Sequence, residues 1–482
     1  MIKEILNKYR NLPKPAKASM WFVISNVVLK GISFITLPIF SRLLTTEEYG
    51  ITSVYQSWVT LVSILTTLTI WGGVFNVGMV KYAQRREEVI SSFQGLAIFI
   101  TGLFLVISIP FLNYLAAVFG ISELLIICMY IEIIAQIPFN LWSAQQRYDY
   151  EYKKLIAITF ITAILNPVIG YFAVINSIHK PEARIITWCI IQFMIGFILF
   201  IVNQKKGKRF FNKELWSYGA KFNIVLIPHY LSAQVLNQAD RIMINYICGG
   251  AAAGIYSVAY NFSMLLSLVI NGINASFTPY IYQCVSTGKT GNLRKYTTGI
   301  VAFVAGIDLL CICLIPDIFK FMLPHSYYEA IWVIPPVTAA AFFLFLYPLF
   351  GSIEFYFEEK KYVTYASCIG AVANIVLNYF FITWFGFLAA AYTTLFCYIC
   401  FSICHYYFMC KILRKKNFKQ NLYDIKALTL ISVILLISMF LLLCLYNHYL
   451  ARWGTILTCA IVCWVLRNKI IQFVKEMEKR SE

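Results

Sequence analysis

The sequence predicts an all-α integral membrane protein of about fourteen transmembrane helices, built as two parallel six-helix lobes with two further helices at the C-terminus. Three observations carry this prediction. Apolar stretches of spanning length recur along the whole chain, basic residues fall almost entirely on alternate connections, and two regions repeat at nearly the same offset.

Sixty per cent of the 482 residues are apolar and only 13 per cent are charged, against about a quarter charged in a soluble domain. A helix needs about 20 apolar residues to cross about 30 Å of hydrocarbon. Segments of that kind are read at 19–40, 51–75, 91–112, 119–142, 155–176, 185–203, 222–246, 253–274, 298–316, 329–351, 362–383, 386–409, 427–446 and 450–468. The first follows a basic stretch from Lys3 to Lys17, as the apolar core of a signal peptide would. Its full spanning length and the lack of a clear small-residue cleavage site make it a transmembrane helix instead.

Lys and Arg stay on the cytoplasmic side of a membrane protein. Of the 40 basic residues, 33 lie at the termini and on alternate connections. The opposite side carries Arg42, Lys180, Arg184, Arg241, Lys320 and Arg452, and Lys30 lies inside the first span. Both termini are therefore expected in the cytoplasm. The net charge of +18 is spread over many segments rather than gathered on one surface, so it reads as topology and not as a nucleic-acid site.

The internal repeat sets the architecture. GITSV at 50–54 recurs as GIYSV at 254–258, with Leu61 and Leu265, and Ser63 and Ser267, at the same offset of 204. AILNPVIGYF at 163–172 matches AVANIVLNYF at 371–380, an offset of 208, each just after a cytoplasmic EYKK or EEKK run. Each match shifts the chain by six helices, an even number, which makes the repeat parallel. Residues 1–204 are then the N-terminal lobe, 205–410 the C-terminal lobe, and 411–482 hold the two added helices and a cytoplasmic tail.

Ionisable groups within spans cost about 2.5–3.5 kcal/mol each on insertion scales and are functional candidates by default. Asn26, Lys30 and Ser33 share one face of the first helix. Tyr230, Gln234, Asn237 and Arg241 share one face of the seventh. At the repeat offset Lys30 aligns with Gln234 and Ser33 with Asn237, so each lobe presents a polar stripe at the same place, as a water-filled cleft between lobes would need. Helix-to-helix hydrogen bonding is the competing reading for the amides and serine. A mid-span lysine with no adjacent acid fits dry packing poorly, which makes Lys30 the leading candidate. Glu132 and Asp308 are deep enough to exchange a proton or to pair with a base. Asp240 and Arg241 lie near the outer end of their helix, where snorkelling to the interface is open to them. Pro138, Pro167 and Pro228 interrupt helices and mark candidate kinks.

Other chemistries find little support. The cysteines sit mostly within spans, and Cys397, Cys400 and Cys404 have helical spacing there, so they read as packing residues. No metal site, catalytic residue or cofactor is expected. No GxxxxGK[ST] motif is present, so energy must come from an H+ or Na+ gradient, the membrane potential or the substrate gradient. A membrane glycosyltransferase, polymerase or acyltransferase usually carries long outer loops bearing acids or histidines. Here those connections are short.

LPIFSRLLTTEEYGITSVYQS (37–57), NVGMVKYAQRREE (76–88), QQRYDYEYKK (145–154) and the two-lobe layout resemble bacterial polysaccharide-biosynthesis flippases of the multidrug/oligosaccharidyl-lipid/polysaccharide exporter superfamily, which includes the MATE fold. The most specific run is R-x-L-T-x-x-E-Y-G: Arg42, Leu44, Thr45, Glu48, Tyr49 and Gly50. The resemblance implies translocation of an undecaprenyl-pyrophosphate-linked oligosaccharide, an O-antigen or capsule repeat unit, across the bacterial inner membrane by alternating access. It also implies a cationic cavity, placing Lys30 centrally with Arg42 and Arg241 near the outer mouth and Lys81 and Lys221 near the inner one. A glycan polymerase and a chain-length regulator are the implied protein partners. A related exporter of drugs or of another lipid-linked precursor is the alternative, and a polymerase or acyltransferase the third reading.

Overall fold

The computed structural model describes residues 13–465 except 289, 419 and 420, together with 467. Most of the N-terminal basic stretch, Lys289, Lys419 and the predicted cytoplasmic tail from 468 lie outside the described residues. The chain is 88% helical, with no strand among the described residues. Eighteen α-helices follow in order. The first nine are α1 Lys14–Leu43, α2 Thr46–Thr67, α3 Gly73–Lys81, α4 Arg86–Ser108, α5 Leu112–Phe119, α6 Glu123–Tyr148, α7 Tyr152–Ile175, α8 Lys180–Gly207 and α9 Lys213–Ile224. The rest are α10 Ile227–Cys248, α11 Gly250–Ser263, α12 Leu266–Thr287, α13 Gly291–Met322, α14 Ile334–Tyr356, α15 Lys360–Phe385, α16 Ala389–Lys415, α17 Ile425–Cys444 and α18 Tyr449–Val465.

Ten of these helical segments are long and apolar enough to cross a membrane, and the bent pair α11 and α12 makes an eleventh. The chain is thus a multi-pass membrane protein. The other three predicted spans fall on α2 and α10, whose polar side chains dilute their apolar character, and on α18, with 17 described residues. The predicted eighth span, 253–274, is not one straight helix, because its helical pattern breaks between Ser263 and Leu266.

The chain packs as two compact units, Met1–Val258 with Ala371–Phe387, and Ala259–Gly370 with Leu388–Glu482. In the first, α6 packs against α8, α2 against α10, and α1 against α7. Its core gathers Val74, Phe75 and Met79 of α3, Phe93 of α4, Ile137 and Leu141 of α6, and Leu215 of α9. In the second, α14 is the central helix and packs most closely on α16. Residues Ala339 to Ala341 are all buried, and such small residues let helix backbones approach in a membrane, where no hydrophobic driving force holds helices together. Helices α9 and α10 pack with the first unit, so packing divides the chain at a different place from residue 204.

The signature around Arg42 is a helix start. Thr45 caps α2: its Oγ accepts from the Glu48 amide at 3.2 Å, and the Thr45 amide donates to the Glu48 carboxylate at 2.8 Å. Tyr49 is buried, with the Arg184 guanidinium 5.4 Å from its ring and 4.0 Å from that of Phe40. Lys180 donates to the Leu43 carbonyl at 3.0 Å and ties the start of α8 to the α1–α2 turn.

Gly50 then meets its own repeat. A Cβ on Gly50 would lie 1.9 Å from the Gly250 carbonyl oxygen, and one on Gly254 would lie 1.9 Å from that of Thr46. Thr46 and Gly250 are 204 residues apart, as are Gly50 and Gly254, so the crossing of α2 and α11 is reciprocal. The second repeat region shows the same likeness in its turns. Tyr150 and Glu358, 208 apart, both take a left-handed conformation, and the following amides donate to the carbonyls of Gln146 (2.8 Å) and Glu354 (2.9 Å).

Candidate functional site

Lys30, Asn26 and Ser33 lie on an exposed face of α1. The Ser33 hydroxyl is spent on the Leu29 carbonyl at 3.0 Å. Lys30 has no ion-pair partner among the described residues. α1 is held chiefly by α7, so this face is free of the helix that supports it. Arg42, at the end of α1, is exposed as well.

The stripe on α10 is different in kind. Gln234 and Asn237 are half-buried, and the Asn237 amide donates back to Ala233 at 2.8 Å. Arg241 turns inward: its guanidinium donates to the Gln238 side chain, whose oxygen also accepts from Ser57 of α2 at 3.1 Å. Only 8% of Arg241 is exposed and none of Asp240, so neither snorkels to an interface. The reason lies far along the chain. Asp240 accepts from Tyr256 of α11 at 2.6 Å and from Asn378 of α15 at 2.6 Å, while Asn378 also donates to Asn374 at 3.2 Å. Asn374 and Asn378 are fully buried, and together with Tyr256 they build a polar knot around the carboxylate.

Glu132 sits in a second buried cluster. Tyr55 of α2 donates to it at 2.8 Å, Gln136 at 2.8 Å, and the Cys189 thiol of α8 approaches at 3.7 Å. Neutral donors hold this carboxylate, and no base pairs with it among the described residues. Asp308 of α13 is fully buried, with both carboxylate oxygens lacking a hydrogen-bond partner among the described residues. The structure therefore separates the candidates: Lys30, Asn26 and Arg42 stand exposed, whereas Asp240, Arg241, Glu132 and Asp308 are enclosed.

At the predicted cytoplasmic ends, basic residues meet acids. Lys14 pairs with Glu151 at 2.6 Å, Arg85 with Glu214 at 3.1 Å and Lys415 with Glu359 at 2.7 Å. Lys81 stands over the Tyr218 ring, 4.4 Å from its centroid. The Arg85 guanidinium holds the Glu214 carboxyl below its ordinary range, and Lys14 does the same for Glu151.

The sequence profile of the polysaccharide biosynthesis protein family matches residues 16–285, more than half of the chain. The chain belongs to that family. The profile of the MatE family matches residues 226–380 of the chain. A protein of the Lsg locus of Haemophilus influenzae is 22% identical over 404 residues, covering 76% of this chain and 98% of its own length. Among solved structures, the lipid II flippase MurJ in an inward closed conformation superposes with a TM-score of 0.67 at 14% identity, covering 92% of this chain and 100% of its own. An inward-facing MATE-family multidrug resistance transporter gives 0.65 at 11% identity, covering 81% and 96%. The fold is that of the MurJ and MATE transporters.

Proposed function

We propose that this family member is a flippase that carries undecaprenyl-pyrophosphate-linked oligosaccharide from the inner to the outer leaflet of the bacterial cytoplasmic membrane by alternating access, with both termini in the cytoplasm. The observation that carries the proposal is Lys30: mid-span, exposed and without an acid partner. An ammonium facing hydrocarbon would cost about 2.5–3.5 kcal/mol, which an aqueous path and an anionic cargo remove. A pyrophosphate suits that cation, and the sugars suit Asn26, Ser33, Gln234 and Asn237, while the polyprenyl tail stays in lipid. Arg42 and Arg241 add positive charge toward the outer side. The duplicated halves, 1–204 and 205–410, supply the symmetry that alternating access uses. The reciprocal crossing at Gly50 and Gly254 supports that duplication.

Moving a negative charge outward is downhill by about 2.3 kcal/mol per charge per 100 mV of inside-negative potential. An H+ or Na+ gradient then serves the return step, with Glu132, Asp240 and Asp308 as the acids able to take a cation. A glycan polymerase and a chain-length regulator act on the product at the outer leaflet.

The test is surface-glycan complementation of a deletion strain by Lys30→Ala, Lys30→Arg and Lys30→Glu at equal membrane abundance. Export should be lost with Ala and Glu and kept with Arg. Normal export by all three would remove the cationic site. The MatE match supports a second reading, export of drugs or of another lipid-linked precursor. It predicts altered drug resistance with normal surface glycan.

A further inference from the structure

We propose that Glu354 and His405 form a proton-binding site that loads and releases one proton per conformational cycle. The inference rests on the transporter reading above, narrows its coupling ion to a proton, and places that proton on two residues outside the acids named there.

Glu354 lies within the last turn of α14 and His405 in the C-terminal half of α16, the most closely packed helix pair of the second unit. Both are fully buried, with His405 Nδ1 2.7 Å from a Glu354 carboxylate oxygen. Their other polar atoms, His405 Nε2 and the second Glu354 oxygen, have no hydrogen-bond partner among the described residues. The imidazole is enclosed by aromatic rings, with Tyr347 and Phe401 each 4.5 Å away between centroids.

Among the described residues, the neighbouring elements place no second charge in hydrogen-bond contact with the pair. Tyr347 is the titratable group of α14 on the imidazole, and Cys404 and Tyr406 flank His405 on α16. From α12, Tyr282 packs on Tyr356 at 5.6 Å, and Cys284 lies on the same helix. Ahead of α17, Tyr423 donates to the Leu349 carbonyl at 2.7 Å. From α13, Arg294 is turned to Asp424 at 3.6 Å, and the Glu359 carboxylate ahead of α15 is paired with Lys415 at the end of α16, 2.7 Å away.

An isolated dyad of this kind is electrically neutral only when it holds one proton beyond the Glu354 carboxylate and neutral imidazole. Losing that proton leaves a single negative charge buried in low-dielectric packing, and gaining a second leaves a positive one; either is strongly disfavoured. Release therefore needs water at His405 Nε2. The proton departs from that nitrogen, and neutral imidazole remains hydrogen-bonded through Nδ1–H to the carboxylate. Opening between α14 and α16 and proton loss are then one coupled event, and reclosure requires reloading.

The repeat supplies an internal control. Gln146 occupies the position of Glu354 one repeat earlier, with the same carbonyl-to-amide turn bond and the same left-handed residue after it. A neutral amide satisfies the fold at that position, so the carboxyl in the second half answers a chemical need rather than a packing one.

The test uses purified full-length protein in two arms. In proteoliposomes loaded with lipid-linked oligosaccharide from the producing strain, an imposed proton gradient should stimulate translocation by wild type. Glu354→Gln and His405→Gln should keep gradient-free turnover and lose the stimulation, and Glu354→Asp should keep both. In the second arm, infrared difference spectra of cargo-free protein should show a pH-dependent carboxyl band that vanishes in Glu354→Gln. Stimulation that persists in both Gln variants, or a carboxyl band unchanged by Glu354→Gln, overturns the proton site. A wild type that moves no lipid-linked oligosaccharide while the band remains overturns the cargo reading and leaves the proton site standing.

Discussion

An alanine at Gly50 or Gly254 strikes the helix crossing that the duplication created. The added Cβ would lie 1.9 Å from a backbone carbonyl oxygen in either case, whereas ordinary contact begins near 3.4 Å, so α2 and α11 must part by about 1.5 Å. A gap of even 0.5–1 Å already forfeits roughly a quarter to a half of each dispersion contact at an interface. The buried residues around the crossing include Tyr49, Val54, Tyr256 and Val258. Overpacking of this kind costs about 1–3 kcal/mol. Because both glycines serve one crossing, the second alanine should cost less than the first, a departure from additivity of about 0.5 kcal/mol or more. Thermal midpoints of detergent-purified single and double variants, read by loss of the monodisperse peak, measure this directly. Gly306→Ala is the control, since nothing lies within 4 Å of a Cβ there, and it should be neutral or slightly stabilising. Wild-type midpoints for Gly50→Ala and Gly254→Ala, or strictly additive losses, would refute the reciprocal crossing.

Three further predictions follow from other contacts. Arg452 of α18 meets Asp317 of α13 through two 2.8 Å hydrogen bonds, with 2% of the Arg452 side chain and 25% of the Asp317 side chain exposed. Arg452→Ala should destabilise by about 3 kcal/mol, the lower end for a broken buried pair, and Asp317→Asn with Arg452→Met should recover part of that midpoint. Thr45→Ala removes the α2 cap and should cost about 1 kcal/mol while Thr45→Ser costs little, again by thermal midpoint. The Glu214 and Glu151 carboxyls titrate below their ordinary value of 4.5 in the folded chain. Their contribution is therefore present above that value and lost as pH falls through the folded range. Exposure and salt screening keep it small, so acidification at low salt should lower the midpoint slightly and Arg85→Ala should blunt the effect.

The helical membrane architecture was legible because apolar length is a property of local sequence. The repeat was legible because its glycine, turn and asparagine positions survive as residue identities. The surroundings of Asp240 were not. It stands near the end of a predicted span, and the asparagine that encloses it comes 138 residues later, a distance over which no periodicity reaches. Glu354 was missed for a related reason: the carboxylate lowers local hydropathy, so the predicted span stops at 351, whereas packing carries α14 on to Tyr356. His405 fell inside a predicted span as a lone histidine, and only the fold shows its partner. The 42–50 signature was carried only as a resemblance: the Thr45–Glu48 capping box appears in the structure, and the reason for Gly50 required the other half of the repeat.

The most direct test of the central claim is the sidedness of lipid-linked oligosaccharide in cells from which the gene is deleted, read by access of a membrane-impermeant glycosidase or lectin to right-side-out and everted vesicles. The account predicts intact lipid-linked repeat units accumulating on the cytoplasmic leaflet, returning to the outer leaflet when the wild-type gene is restored. Repeat units found unpolymerised on the outer leaflet of the deletion strain would contradict it.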